Sequence, residues 1–301
     1  MKKWIITVAF LCAAVAARAG ALKENLVPAE TRWLLHVDGD ALRKTRIGAL
    51  VIDKKFEKHV RKLEHDAGTN FDFSFNKVGA VTIFGPKVGE DKNAVLILQT
   101  TADLRADLEK LIGIKESNGN GQPPISRISI NGAELYTIGE DLNAMPAGPG
   151  VWVVGKSKTA VQDAREVALG GAPSLKRKSF LDYPAVTNSF FLLAVADTAA
   201  ADKLPAQAKI LQKAEGGRIV IGESGEKLFL NLALRSKDSD AVKQIQQVIQ
   251  GLISFIALTQ AENKDLVTLA NSASVSSAED LISVNLSFPL PRAMEKAREE
   301  E

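Results

Sequence analysis

Two hydrophobic periods take turns along this chain: apolar residues every second position, then every third or fourth. Trp33-Leu34-Leu35-His36-Val37 predicts a strand, followed by a helix carrying Phe56, Val60 and Leu63. Lys77 to Phe84 and Ala94 to Gln99 predict two strands joined through Gly85-Pro86-Lys87-Val88-Gly89. Asp103 to Ile112 reads as an amphipathic helix, Ser126 to Ile138 and Val151 to Val154 as strands, and Thr159 to Leu169 as a helix stopped by Gly170-Gly171-Ala172-Pro173. The order then recurs. Strands are expected at Phe190–Val195, Arg218–Ile221, Lys227–Leu234, Ser272–Ser277 and Leu281–Phe288, with helices at Ala199–Ala214, Asp240–Leu258 and Arg292–Glu300.

Both halves thus read β-α-β-β-α-β-β-α. Pro28-Ala29-Glu30-Thr31 leads into Leu34-Leu35-His36-Val37-Asp38, and Pro184-Ala185-Val186-Thr187 leads into Leu192-Leu193-Ala194-Val195-Ala196-Asp197. Pro and Thr favour an extended entry, and Asp leaves the strand to cap the next element. The expectation is an α+β protein of two tandem similar domains, 22–175 and 184–301. Each would be a mainly antiparallel sheet with helices on one face. The boundary falls in the basic, turn-rich stretch between Gly170 and Pro184.

The N-terminus changes the setting. Lys2-Lys3, an apolar run from Trp4 to Ala17 broken only by Thr7, and Ala17-Arg18-Ala19 before Gly20 make a signal peptide over residues 1–19. A periplasmic or secreted location is expected. The run is short of the ~20 residues a helix needs to span a bilayer, and no membrane span is expected after cleavage. The single cysteine, Cys12, lies inside that run, so the mature chain would have no disulfide and no thiolate site. Removing Lys2, Lys3 and Arg18 takes 38 basic residues to 35 against 36 acidic, a net charge of −1. With charge so balanced and only Lys176-Arg177-Lys178 clustered, nucleic acid is not an expected partner.

Motifs offer little chemistry. Gly150-Val151-Trp152-Val153-Val154-Gly155-Lys156-Ser157 fits the phosphate-loop pattern, yet Val-Trp-Val-Val between the glycines would hold the backbone extended in a ladder. Nucleotide is therefore not expected, and no cofactor is. His59 and His65 lie six apart on a helix and so on different faces. His36, Asp38 and Asp40 are the candidate cation ligands, with strand, turn and a cap by Asp40 as the ordinary alternative. Gly222-Glu223-Ser224-Gly225 resembles a nucleophile elbow but has Glu226 where the second glycine belongs. Ile245, Val248, Ile249, Leu252, Ile253 and Ile256 form a wide stripe opposite Gln244, Gln247, Gln250 and Ser254. With Lys243 the only base, core packing is the expected role. Phe71, Phe73 and Phe75 alternate with polar residues, as on one face of an extended segment.

The Pro-Ala-Glu-Thr lead into Leu34–Asp38 with Leu42-Arg43 after it, and Phe71 to Gly85 with its Val-Gly-Ala-Val-Thr-Ile strand, resemble a loose group of uncharacterised exported bacterial proteins with duplicated α+β domains. That resemblance implies export and architecture, with no activity attached. With titratable groups scattered, the expected function is a non-enzymatic binding or interaction module whose partner is an unknown envelope protein or ligand, using a sheet face or the groove between domains. An envelope hydrolase or metal-dependent enzyme, and a carrier of a small apolar ligand, are the alternatives.

Overall fold

The computed structural model describes residues 20–67, 74–101, 104–112, 125–130, 132–139, 141–176, 182–184, 186, 188–197 and 213–299. The expected signal peptide, Cys12, Phe71, Phe73 and nearly all of the expected Ala199–Ala214 helix lie outside them.

In chain order the elements are β1 (Trp33–Asp38), α1 (Gly39–Arg43), α2 (Arg46–Val51), a π-helical turn Ile52–Glu57, α3 (Lys58–Ala67), β2 (Val78–Gly85), β3 (Val95–Thr100) and α4 (Leu104–Ile112). Next come β4 (Ile125–Ile130), β5 (Ala133–Ile138), β6 (Leu142–Pro146), β7 (Val151–Gly155) and α5 (Lys158–Ala168). The remainder are β8 (Leu192–Asp197), β9 (Gly216–Ser224), β10 (Lys227–Arg235), α6 (Ser239–Thr259), α7 (Lys264–Asn271), β11 (Ser274–Ala278), β12 (Leu281–Pro289) and α8 (Leu290–Glu299).

The strands form one antiparallel sheet, ordered β11-β12-β10-β9-β8-β1-β2-β3-β7-β6-β5-β4. The sequence predicts a sheet for each half and leaves their junction open. In the structure β1 pairs with β8, Trp33 opposite Ala196 and Val37 opposite Leu192, so the ladder runs unbroken from one half into the other. Outward from that seam the order is β1-β2-β3-β7-β6-β5-β4 on one side and β8-β9-β10-β12-β11 on the other.

Strand register decides which helix covers which face, because neighbours along a strand point to opposite sides. Ile97 pairs with Val153 and Leu98 with Trp152. Ile97, Val153, Met145 and Leu135 pack with Val161 and Ala164 of α5. Leu98, Trp152, Ala144 and Tyr136 pack with Leu104, Leu108 and Ile112 of α4. Thus α4 and α5 lie on opposite faces, which corrects the expected one-sided arrangement. Following opposed pairs from Leu98 through Val81, Val37, Leu192, Ile221 and Leu230 carries the α4 face across the seam. Leu234 continues that face and meets Val242 and Ile245, so α6 lies on the α4 side.

Three local readings change. The expected strand Ser126–Ile138 is a hairpin, β4 against β5, with Gly132 at φ 75° in its turn. The pattern does not predict β6, since Pro146, Gly148 and Gly150 give that stretch the composition of a loop. Nor does it predict α7, which Asn263 caps by accepting from the amides of Asp265 and Leu266. Among the described residues, no helix is long and apolar enough to cross a membrane.

Candidate functional site

His36 projects from β1 and is 2% exposed. Its Nε2 lies 2.9 Å from the carbonyl oxygen of Gly20, and its Nδ1 lies 2.9 Å from the Thr82 hydroxyl. A carbonyl only accepts, so Nε2 carries the proton and Nδ1 accepts from Thr82. Burial holds the imidazole below its ordinary pKa, partly opposed by the Gly20 carbonyl and the Asp38 charge. Both ring nitrogens are occupied within the fold.

The two aspartates take other tasks. Asp38 is the cap of α1, its Oδ1 accepting from the Ala41 amide at 2.8 Å. Asp40, expected as that cap, sits within the first turn and pairs with Arg43. Arg43 also donates to the carbonyls of Phe75 and Val78, at 2.9 and 2.7 Å. The three candidate ligands therefore do not converge, and among the described residues no group of three His, Cys, Asp or Glu is arranged around a cation position.

These residues nonetheless border a groove of about 860 Å³, where α1 faces the lead into β8. Its walls mix Leu22, Phe190 and Phe191 with charged Asp40, Lys44 and Glu223. Glu223 stands near the end of β9, and its carboxylate binds Arg46 at 3.3 Å and the Ile47 amide at 3.2 Å. Arg46 further reaches Glu226 at 2.9 Å and the Gly225 carbonyl at 2.5 Å, so α2 is held to the β9–β10 hairpin. The Gly-Glu-Ser-Gly sequence is that hairpin, with Gly225 at φ 57°, and not a strand-to-helix corner.

The phosphate-loop match is likewise structural. Val151 to Gly155 lie in β7 between β3 and β6, and Ser157 caps α5 by accepting from the Ala160 amide. Tyr183 stands under two guanidiniums, Arg218 at 5.3 Å and Arg235 at 5.1 Å from its ring centre, and burial pushes its hydroxyl up to about 12.

A different surface stands out on α6. The helix begins buried, with Ala241, Val242 and Ile245 against Ile282 and Leu234. Its C-terminal half then leaves the sheet: Leu252 is 48% exposed, Phe255 61% and Leu258 79%, with Val248 and Ile256 also exposed. Except for Leu258, these continue the stripe that Ile245 begins. The expected core role therefore holds for only the first turns. α7 folds back beside α6 and adds exposed Leu266. Arg292 and Lys296 of α8 secure α7 through Asp265, at 3.0 and 2.8 Å. Periodicity marks the stripe; the point where the sheet stops supporting it depends on tertiary structure.

No protein-family model matches the chain, and no curated protein matches it in sequence. Among solved structures, crystal form III of TP0453 is similar, with TM-score 0.50 and 10% identity over 92% of this chain and 98% of that one. Crystal form IV of TP0453 is similar with TM-score 0.50 and 10% identity, over 93% and 98%. At that identity the likeness is one of fold.

Proposed function

We propose that the chain is an exported binding protein built from two copies of one α+β unit, and that it works by docking the apolar stripe of α6 into an apolar groove of an envelope protein. The observation that carries this is the exposure of Val248, Leu252, Phe255 and Ile256 along that stripe of one protruding helix. Contiguous exposed apolar surface marks an interaction site, and an amphipathic helix entering a groove is a common form of one. The polar side of α6 is glutamine and serine, with Lys243 alone positive, which favours a protein groove over an anionic lipid surface. Duplication is supported by the first five strands on either side of the β1–β8 seam, β1-β2-β3-β7-β6 matching β8-β9-β10-β12-β11 in order. Export is supported by the residues before Gly20.

The test places a photo-crosslinking side chain at position 255 in the exported protein. A defined envelope protein should be captured, and Leu252→Asp should abolish that capture while the fold stays intact. Flotation of the protein with vesicles of neutral lipid and no protein adduct would overturn the reading. So would an adduct that persists unchanged in Leu252→Asp.

A second reading rests on the groove beside β8, whose Phe190, Phe191 and Leu22 could hold a small apolar ligand. Native mass spectrometry of protein taken from its source cells, showing a bound lipid-like molecule lost in Phe190→Asp, would favour it.

A further inference from the structure

Gly20 is the residue that would become the N-terminus after cleavage at Ala19, and the fold has a close-fitting place for it. It is buried, and a Cβ on it would fall 1.9 Å from Asp38 Oδ1 and 2.8 Å from the Gly79 carbonyl oxygen. Only glycine fits such an approach. The backbone nitrogen of Gly20 is joined to the same Cα, so standard bond lengths place it within about 4.5 Å of the Asp38 carboxylate. The Gly20 carbonyl is fixed on the other side by Nε2 of His36. One residue is thus held among a carboxylate, a carbonyl and an imidazole N–H.

We propose that leader removal creates an ion pair that locks the mature fold: the new α-ammonium of Gly20 binds the Asp38 carboxylate beside the Gly79 carbonyl. Hydrolysis of the Ala19–Gly20 peptide bond consumes one water, leaves a carboxylate on Ala19 and gives Gly20 an ammonium with three donors. The Asp38 carboxylate, at the end of β1, and the Gly79 carbonyl, at the irregularity near the start of β2, are the oxygens nearest the position of a Gly20 Cβ. Before cleavage the same nitrogen is a neutral amide with a single donor, so the pair belongs to the processed chain alone. Asp38 also caps α1, which carries Asp40 and Arg43; the new charge is therefore tied to the helix that walls the groove. This inference rests on the export reading given above.

Charged groups bordering the same groove are Asp40, Arg43, Lys44 and Glu223, with His36 beneath it. The Asp40–Arg43 pair is internally balanced, and Glu223 is engaged by Arg46, so neither replaces the ammonium. A paired ammonium titrates above the ordinary α-amino value of about 8. Its contribution is fully present below that value and lost as pH rises through the raised one.

The experiment uses two purified proteins, one beginning at Gly20 and one carrying a single extra serine before it, each prepared both with the native Asp38 and as the Asp38→Asn variant. Asparagine caps a helix about as well as aspartate, so this substitution removes the charge and keeps the cap. At pH 7 the protein beginning at Gly20 should have an unfolding equilibrium constant about tenfold smaller than the extended one, the size of a charge-assisted hydrogen bond. The difference should vanish in Asp38→Asn and above pH 10. Equal stability of the two Asp38 proteins at pH 7, or a difference that survives Asp38→Asn, would overturn the inference. Intact mass of the exported protein tests the cleavage position separately: an N-terminus other than Gly20 would remove the export reading's processing site whatever the stability result.

Discussion

The Nε2–H of His36 donates to the carbonyl of Gly20 at 2.9 Å, tying the first described residue of the chain to a position two residues before the end of β1. Thr82 on the neighbouring strand supplies the other partner, so the ring is neutral, buried and fully paired. In the unfolded chain it titrates near its ordinary 6.5; in the fold, burial holds it lower. Between those values the unfolded state binds more protons. Stability contributed by the neutral ring is therefore complete above 6.5 and lost as pH falls through the lower folded value. Denaturant unfolding from pH 7.5 to 5 should show this loss, and His36→Gln should flatten it. His36→Ala, which strands the Gly20 carbonyl and Thr82 hydroxyl, should cost about 2–3 kcal/mol.

Arg46, which ties α2 to the β9–β10 hairpin, has many polar partners for a surface residue. It touches Glu223, Glu226 and the Gly225 carbonyl, but its side chain is 47% exposed. Solvent and salt screen such contacts, so Arg46→Ala should shift the urea midpoint far less than a core truncation such as Ile245→Ala. Urea midpoints of the native protein and the variant at low and moderate salt provide the measurement. Most of the small difference should disappear at the higher salt.

Both tyrosines of the chain should resist ionisation. Burial raises Tyr136, whose hydroxyl donates to Glu134 at 3.2 Å, and pushes Tyr183 up to about 12. An ultraviolet absorbance titration should find less than half of the phenols ionised at pH 10. A full phenolate signal at that pH would mean that the cover over Tyr183 opens in solution.

The range of the forces involved explains why the strands are legible in the sequence and their assembly is not. Leu34, Phe84, Ile97 and Val153 alternate with residues of the opposite face, and that two-residue period is printed in the chain. That α4 and α5 take opposite faces depends on the parity of Leu98 against Ile97. Both are apolar, so period alone cannot assign a face to either. The union of the halves depends on β1 meeting β8, a pairing of Trp33 with Ala196 that has no local signal. Asp40 looks like the cap because the pattern predicts a helix from Ala41; the helix starts at Gly39, which moves the task to Asp38. The candidate ligands His36 and Asp38 are visible as residue types, but the partners of His36, Gly20 and Thr82, carry no motif. The α6 stripe is the reverse case, plain in sequence and misassigned in role, because periodicity reports that a face is apolar and not what it meets.

Glycine substitutions separate two kinds of backbone. Gly251 lies in exposed mid-helix on α6, and a Cβ there would meet nothing within 4 Å. Gly251→Ala should raise stability by about 0.5–1 kcal/mol. Gly225 is equally open in space but holds φ 57° in the β9–β10 turn, so Gly225→Val should cost about 1–2 kcal/mol. Thermal unfolding of both variants decides it.

Along α6 itself, stability and docking should come apart. Ile245 is fully buried against Ile282 and Val242, and Ile245→Ala opens a cavity that should cost about 2–4 kcal/mol. Leu252, further along the same stripe, is 48% exposed; Leu252→Ala should change stability by no more than about 1 kcal/mol. A stripe of one character along the helix would then contribute to folding at one end only. If Leu252→Ala instead destabilised the isolated protein as Ile245→Ala does, the outer half of α6 would be packed in solution. The apolar surface proposed for docking would then not be free.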